Sequence, residues 1–507
     1  MNTITRSTLF LLSFTSLAAS SEVRLPHVIS DHAVLQRGAP IHIWGWASPD
    51  AHLKAHFHDQ AVSADVDSLG LWSLWLAPES AGGPYTLTIT GDGADTKVND
   101  LLVGDVWFAS GQSNMEFPLN GFSDAPLKNG AQEIAAATNP KIRLLHAGQK
   151  VSDFPLTDNT GSWSTCTPEA AATFSAVAYF FGREIAAKED IPIGLIDSTW
   201  GGTPADSWVS MDTLGTNPEL LPALAARARF ANEQSNLEMQ LAKEHRENEA
   251  AKAAGQPILK HPWHPFDGAW VPSGIYNGMV APFTPYSVKG FLWYQGEANS
   301  AHNRAPFYRT LLPALIADWR MHFAQGNLPF LFVQISSFNS PGEDWGAVRD
   351  AQRRTLSVTN TAMAVTLDIG ESGNVHPADK QTVAARLALA ARATVYGEPI
   401  AYRSPLFREA TTELQPDGTT ALRVWFDNAE KLSSHGKPVA GFELAGEDRH
   451  YIPASARIDG TTVIVSSPSI PHPLYVRFGW ASYFDRNLFN AAGLPASTFT
   501  SDESPLQ

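Results

Sequence analysis

Cysteine is nearly absent from this chain: Cys166 is the only one in 507 residues. An intramolecular disulfide is therefore impossible and a thiolate metal cluster is excluded. Charged residues are sparse at 17%, and acids outnumber bases by 51 to 36, for a formal net charge of -15. Without a basic excess, counterion release cannot drive nucleic-acid binding, and docking on anionic lipid is equally disfavoured. Past the N-terminus no stretch approaches about twenty uninterrupted apolar residues, so no membrane insertion is expected. His56, His58, His261 and His264 have no matching set of carboxylates or cysteines, so no metal is expected, and no cofactor motif is present. What the chain does have is 44% hydrophobic residues and fifteen tryptophans, enough for two to four globular domains.

The first twenty residues read as a secretory signal peptide. Arg6 is followed by the apolar run Leu9 to Phe14 with Leu17, then by the small residues Ala18 to Ser21, the order of charge, apolar core and cleavage site that export requires. The alternative is a buried or amphipathic N-terminal helix. Export to the periplasm or the medium is the expectation.

The hydrophobic period then changes along the chain. Residues 21–100 show short apolar alternations separated by turns, as in Ile41-His-Ile-Trp-Gly-Trp46 and Leu71-Trp-Ser-Leu-Trp-Leu76, which predicts a small β-sandwich module. Residues 101–397 alternate strands with helices. The predicted strands are Val103 to Ala109, Ile142 to His146, Ile193 to Asp197, Val288 to Tyr294, Phe330 to Ile335 and Ala362 to Leu367. The predicted helices include Ala176 to Lys188, Thr382 to Val395 and a segment from 306 to 323 that Pro313 must start or kink. That alternation implies a mostly parallel sheet with helices on both faces, which binds ligands beyond the carboxyl ends of its strands. The stretch 211–285, with a polar Ala/Glu/Lys/Gln-rich helix from Ala223 to Gly255 and a Pro/aromatic loop at 261–266, reads as an insertion. Residues 398–507 return to β pattern, as a second module or the completion of the first.

Four predicted strand ends carry glycine beside a polar residue of catalytic type. They are Gly111-Gln-Ser-Asn114, Trp200-Gly-Gly-Thr203, Gln295-Gly-Glu297 and Gly370 to His376. In the first, a glycine after a strand permits a sharp turn that lifts Ser113 out of the sheet while backbone N–H groups face the same space. It is not the Gly-x-Ser-x-Gly elbow, because Met115 replaces the second glycine. A lone serine here would more often be a turn former or a helix cap; its credibility comes from the other three ends.

The motifs Gly111-Gln-Ser-Asn-Met115, Trp200-Gly-Gly-Thr203, Trp293-Tyr-Gln-Gly-Glu297 and Val375-His-Pro377, with Lys380 following, resemble those of SGNH-type carbohydrate esterases, most closely the sialate O-acetylesterase family. The resemblance covers about residues 101–397. It implies an α/β fold: a flavodoxin-like, three-layer α/β/α core with a mostly parallel sheet, accompanied by accessory β-sandwich, jelly-roll-like modules.

The chemistry of the residues supports matching roles. Ser113 is the candidate nucleophile and His376 the candidate base. The backbone N–H groups of Ser113 and Gly202 and the side-chain amide of Gln295 are candidate oxyanion donors, although Gln295 could instead tie neighbouring loops together. Related SGNH enzymes commonly place an acid three positions before the histidine, where this chain has Gly373. Asp368, Glu371, Glu297 or a backbone carbonyl remain open as the group orienting His376. The expected substrate is an acetylated carbohydrate, either sialic acid or a neutral wall polysaccharide such as xylan or xyloglucan, with Trp200, Trp263, Trp270, Trp293 and Trp345 as possible sugar platforms. A lipase or peptidase, and a non-catalytic glycan-binding protein, are the alternatives from other classes. Oligomeric state is not legible.

Overall fold

The structure of the protein is a computed structural model that describes residues 23–503 apart from 92, 94, 260, 262–267 and 417, with the backbone alone within 225–238. The expected signal peptide and most of the 261–266 loop, including Trp263, lie outside the described residues.

The central sheet has seven strands, numbered here along the chain: β1 (Thr96–Gly111), β2 (Asn139–His146), β3 (Ser162–Cys166), β4 (Ile193–Thr199), β5 (Gly290–Tyr294), β6 (Phe330–Gln334) and β7 (Thr361–Val365). Their order is β7-β6-β5-β1-β4-β2-β3, parallel throughout except for β3 at the edge. All six predicted strands are present. β4 and β5 are buried at every residue, the reason they carry the apolar runs Ile193 to Ile196 and Gly290 to Tyr294.

Helices cover both faces. Successive strand residues point to opposite sides of a sheet, so Trp107 and Phe108 of β1 report on one face each. Trp107 meets Phe181 of a helix Ala176–Glu189 with ring centroids 5.0 Å apart, and Phe108 meets Trp319 of a helix Tyr308–Phe323 at 5.6 Å. A further helix, Lys380–Thr394, packs beside the first, and Trp345–Arg354 packs beside the second. Pro313 lies inside Tyr308–Phe323 rather than starting it. The helix expected over Ala223 to Gly255 is Leu221–Ala253.

The strand β1 runs through the expected domain boundary near residue 100, where Asp100 takes a left-handed φ of +53°. The first half of β1 pairs with Gly82–Thr90 and Val34–Gln36, the second with β4 and β5. The N-terminal strands are thus welded to the core along one strand. From residue 406 onward the chain forms two four-stranded sheets that share a separate core around Leu422, Val424, Val463, Phe442, Val476 and Phe499. The two β regions therefore lie in different sheets. Arg349, fully buried in Trp345–Arg354, joins the second to the main sheet by donating to the carbonyls of Ile335, Ser336, Ala481 and Ser482. Among the described residues no helix is long and apolar enough to cross a membrane.

Candidate active site

Ser113 sits where β1 ends. Gly111 has φ +137°, and a Cβ there would stand 2.2 Å from the Tyr294 carbonyl oxygen at the end of β5. Only glycine lets the two strand ends close to this distance. Gln112 N–H then donates to Tyr294 O (3.1 Å), and the chain turns into the single helical turn Ser113–Glu116.

The loop after β7 brings His376 to the same edge. Its Nε2 lies 2.8 Å from Ser113 Oγ, a direct side-chain hydrogen bond. Phe122 packs edge-on against the imidazole at 5.1 Å, with Phe117 behind at 6.3 Å. Half burial and the neighbouring Lys380 cation hold the imidazole pKa down to about 4, against a small opposing pull from Asp124. The ring is therefore neutral at physiological pH, as a proton acceptor must be.

None of the three carboxylates considered for orienting His376 reaches it. Asp368 is occupied by a bidentate pair with Arg386 (2.6 Å to each guanidinium nitrogen). Glu371 accepts from Ala378 N–H. Glu297 accepts from the Asn114 side chain at 2.7 Å. Among the described residues no carboxylate bonds the His376 ring.

The oxyanion candidates divide. Gln295 is fully buried, and its Nε2 is shared among Gln112 Oε1, Asn299 Oδ1 and Thr203 O, while its Oε1 accepts from Tyr308. With two amide hydrogens and three protein acceptors it has no N–H to spare, so its expected place in the oxyanion site is corrected: it ties loops together. The N–H groups of Ser113 and Gly202 donate to no acceptor among the described residues. Gly202 takes φ +69° and accepts from Trp270 Nε1 through its carbonyl.

Sequence reasoning missed Glu116. Gly201 passes so close that a Cβ on it would lie 2.8 Å from Glu116 Oε2 and 3.3 Å from Ser113 Cβ, which sets this carboxyl beside the nucleophile. It also accepts from Gln149 (3.0 Å). Burial, then the buried Asp197 nearby, raise its pKa. Its adjacency to the motif was the available signal, but a glutamate one turn past a serine reads as solvated surface. Of the possible sugar platforms, Trp293 and Trp345 are buried core residues and are corrected. Trp270, half-buried under the Arg304 guanidinium at 4.7 Å, stays at the rim. Among the described residues no three His, Cys, Asp or Glu side chains gather as metal ligands.

A hydroxyl bonded to a neutral histidine beyond the carboxyl ends of a parallel sheet is the arrangement of an α/β ester hydrolase. The carbohydrate esterase, sialic acid-specific acetylesterase family profile matches residues 251–393. The chain is 31% identical to the sialate O-acetylesterase of Rattus norvegicus over 442 residues, 78% of each chain, and 30% identical to that of Homo sapiens over 524 residues, 93% of this chain and 90% of the human one. It is 35% identical to a carbohydrate acetylesterase from Xanthomonas citri, whose crystal structure aligns with a TM-score of 0.80 over 95% of this chain and 100% of that one. The chain belongs to the sialate O-acetylesterase family and is a carbohydrate O-acetylesterase.

Proposed function

We propose that the acetyl group is transferred through Ser113, with His376 as the general base. The 2.8 Å contact between His376 Nε2 and Ser113 Oγ carries this reading. Ser113 Oγ attacks the acetyl carbonyl carbon while His376 Nε2 takes its proton. The bond from carbonyl carbon to sugar oxygen then breaks, and His376 returns the proton to the departing sugar oxygen. Water, deprotonated by His376, attacks the acetyl-serine; acetate leaves and Ser113 recovers its proton. The unpartnered N–H groups of Ser113 and Gly202 are the candidate oxyanion donors; losing one such donor typically costs about 10²–10³ in turnover.

The family resemblance supports O-acetylated sialic acid as the substrate. One observation favours a second reading, a neutral polysaccharide such as xylan or xyloglucan. The net charge of -15 opposes a sugar that carries its own carboxylate. Acetate release from a panel of O-acetylated sialic acids, xylan and xyloglucan, with Ser113→Ala as control, separates the two. Release in the control equal to wild type would discard the mechanism, and faster turnover of sialate than of the neutral glycans would discard the second reading.

The finer organisation belongs to the same proposal. The described part of residues 398–507 forms an accessory β-sandwich of jelly-roll type, and the described part of residues 21–100 forms a second β unit fused to the hydrolase domain through β1. The signal-like residues 1–20 support export to the periplasm or the medium.

A further inference from the structure

Lys380 is a costly residue in its position. It is fully buried, and it is the first residue of the fifteen-residue helix Lys380–Thr394, where the helix dipole opposes a cation. Among the described residues no carboxylate bonds its ammonium; it lies over the Phe117 ring at 4.6 Å and the Tyr294 ring at 5.8 Å and donates to Asn114 Oδ1. A buried cation that breaks both the burial rule and the capping rule is expected only where function holds it.

The residue it touches explains why. Asn114 follows Ser113 directly and uses its whole amide. Its Oδ1 accepts from Lys380, and its Nδ2 donates to Glu297 Oε1 at 2.7 Å and to Val375 O at 3.0 Å. Val375 directly precedes His376. One amide thus joins the ends of β1 and β5, the loop after β7 and the start of the last core helix. Lys380 on one side and Glu297 on the other fix which way that amide faces, because a flipped amide would aim a donor at the ammonium and an acceptor at the carboxylate.

We propose that Lys380, Asn114 and Glu297 form a buried clamp that takes over the third acid's positioning role, holding the His376 loop at bonding distance from Ser113. The proposal rests on the Ser–His reading above. The clamp also acts on charge. His376 faces Lys380 from the helix and Asp124 from the 121–125 turn; after burial, Lys380 is the main influence keeping the imidazole neutral. Lys380 is itself lowered to about 7 by burial, against the pull of Glu297, Glu371 and Asp379, so it is charged across the range in which His376 titrates. Asn114, Glu297 and Lys380 are positioning residues and touch no reacting atom.

The test is the pH profile of p-nitrophenyl acetate hydrolysis by the full chain carrying Lys380→Met, Lys380→Arg or Glu297→Gln, with thermal melts as folding controls. In Lys380→Met, kcat is expected to fall about 10²-fold, the scale of a misplaced reacting group, with KM little changed. The acid limb of kcat/KM should move to higher pH, because the cation that disfavours imidazolium is gone. Lys380→Arg keeps the charge and should keep the acid limb near the wild-type position. Glu297→Gln is isosteric but no longer acceptor-only, so it loosens the hold on the orientation of the Asn114 amide and tests the pair even if Lys380→Met fails to fold; its kcat should fall with KM unchanged. A folded Lys380→Met with wild-type kcat and acid limb, or a Glu297→Gln indistinguishable from wild type, overturns the clamp while leaving the Ser–His reading intact. Full activity in Ser113→Ala would remove that reading instead.

Discussion

Gly111→Ala probes the junction on which the site is built. The new methyl group would stand 2.2 Å from the Tyr294 carbonyl oxygen and 2.7 Å from its carbon, both backbone atoms, so no side-chain rotation relieves it. The backbone there also has φ +137°, which a residue with Cβ adopts only under strain of about 1–3 kcal/mol. Separation of the β1 and β5 ends by about 1 Å would stretch the 3.1 Å hydrogen bond from Gln112 N–H to Tyr294 O, adding about 1 kcal/mol. The sum is about 2–4 kcal/mol, expected for a chain of 507 residues as a fall in Tm of about 2–4 °C. The same displacement moves Ser113 relative to His376, and misplacement of that size costs about 10²-fold in turnover. Differential scanning fluorimetry and hydrolysis of p-nitrophenyl acetate read the two effects separately. An alanine variant with wild-type Tm and wild-type kcat would refute the account of this junction.

Two other outcomes follow from the site. Asp368→Asn and Glu371→Gln should each retain kcat within about threefold of wild type, since neither carboxylate touches His376, whereas loss of a true orienting acid costs about 10⁴; steady-state kinetics on p-nitrophenyl acetate decides. Because the His376 pKa is depressed to about 4, kcat/KM should stay level from neutral pH down to about 5 and fall as the imidazole protonates through about 4; an acid limb at the ordinary histidine value near 6.5 would contradict the burial and the Lys380 charge described.

The parallel sheet was legible because its strands are buried on both faces and leave unbroken apolar runs such as Ile193 to Ile196. The convergence of strand ends was legible because glycine marks each tight approach, at Gly111, Gly201 and Gly296. Less visible were elements whose polar residues are buried. Trp345–Arg354 contains Arg349, Asp350 and Gln352, which read as surface, yet all three are buried against the C-terminal β unit and neighbouring loops. Glu116 was overlooked, and Lys380 was noted only as following the histidine motif and given no role, for the same reason: charge in sequence suggests solvent and only packing reveals enclosure. Gln295 lay in the right motif, but the acceptors that consume its amide, Gln112, Asn299 and Thr203, come from three separate segments. β3, Ser162–Cys166, is a short, partly polar edge strand without an apolar run to mark it.

The central claim is that acetyl passes through Ser113, and the most direct measurement is to look for it there. The protein is mixed with p-nitrophenyl acetate, quenched in acid within the first turnovers, digested and analysed by mass spectrometry. The account predicts one acetyl group on the peptide that contains Ser113, absent from Ser113→Ala. Acetyl found on a different side chain, or no covalent acetyl while acetate is still released by Ser113→Ala, would contradict it.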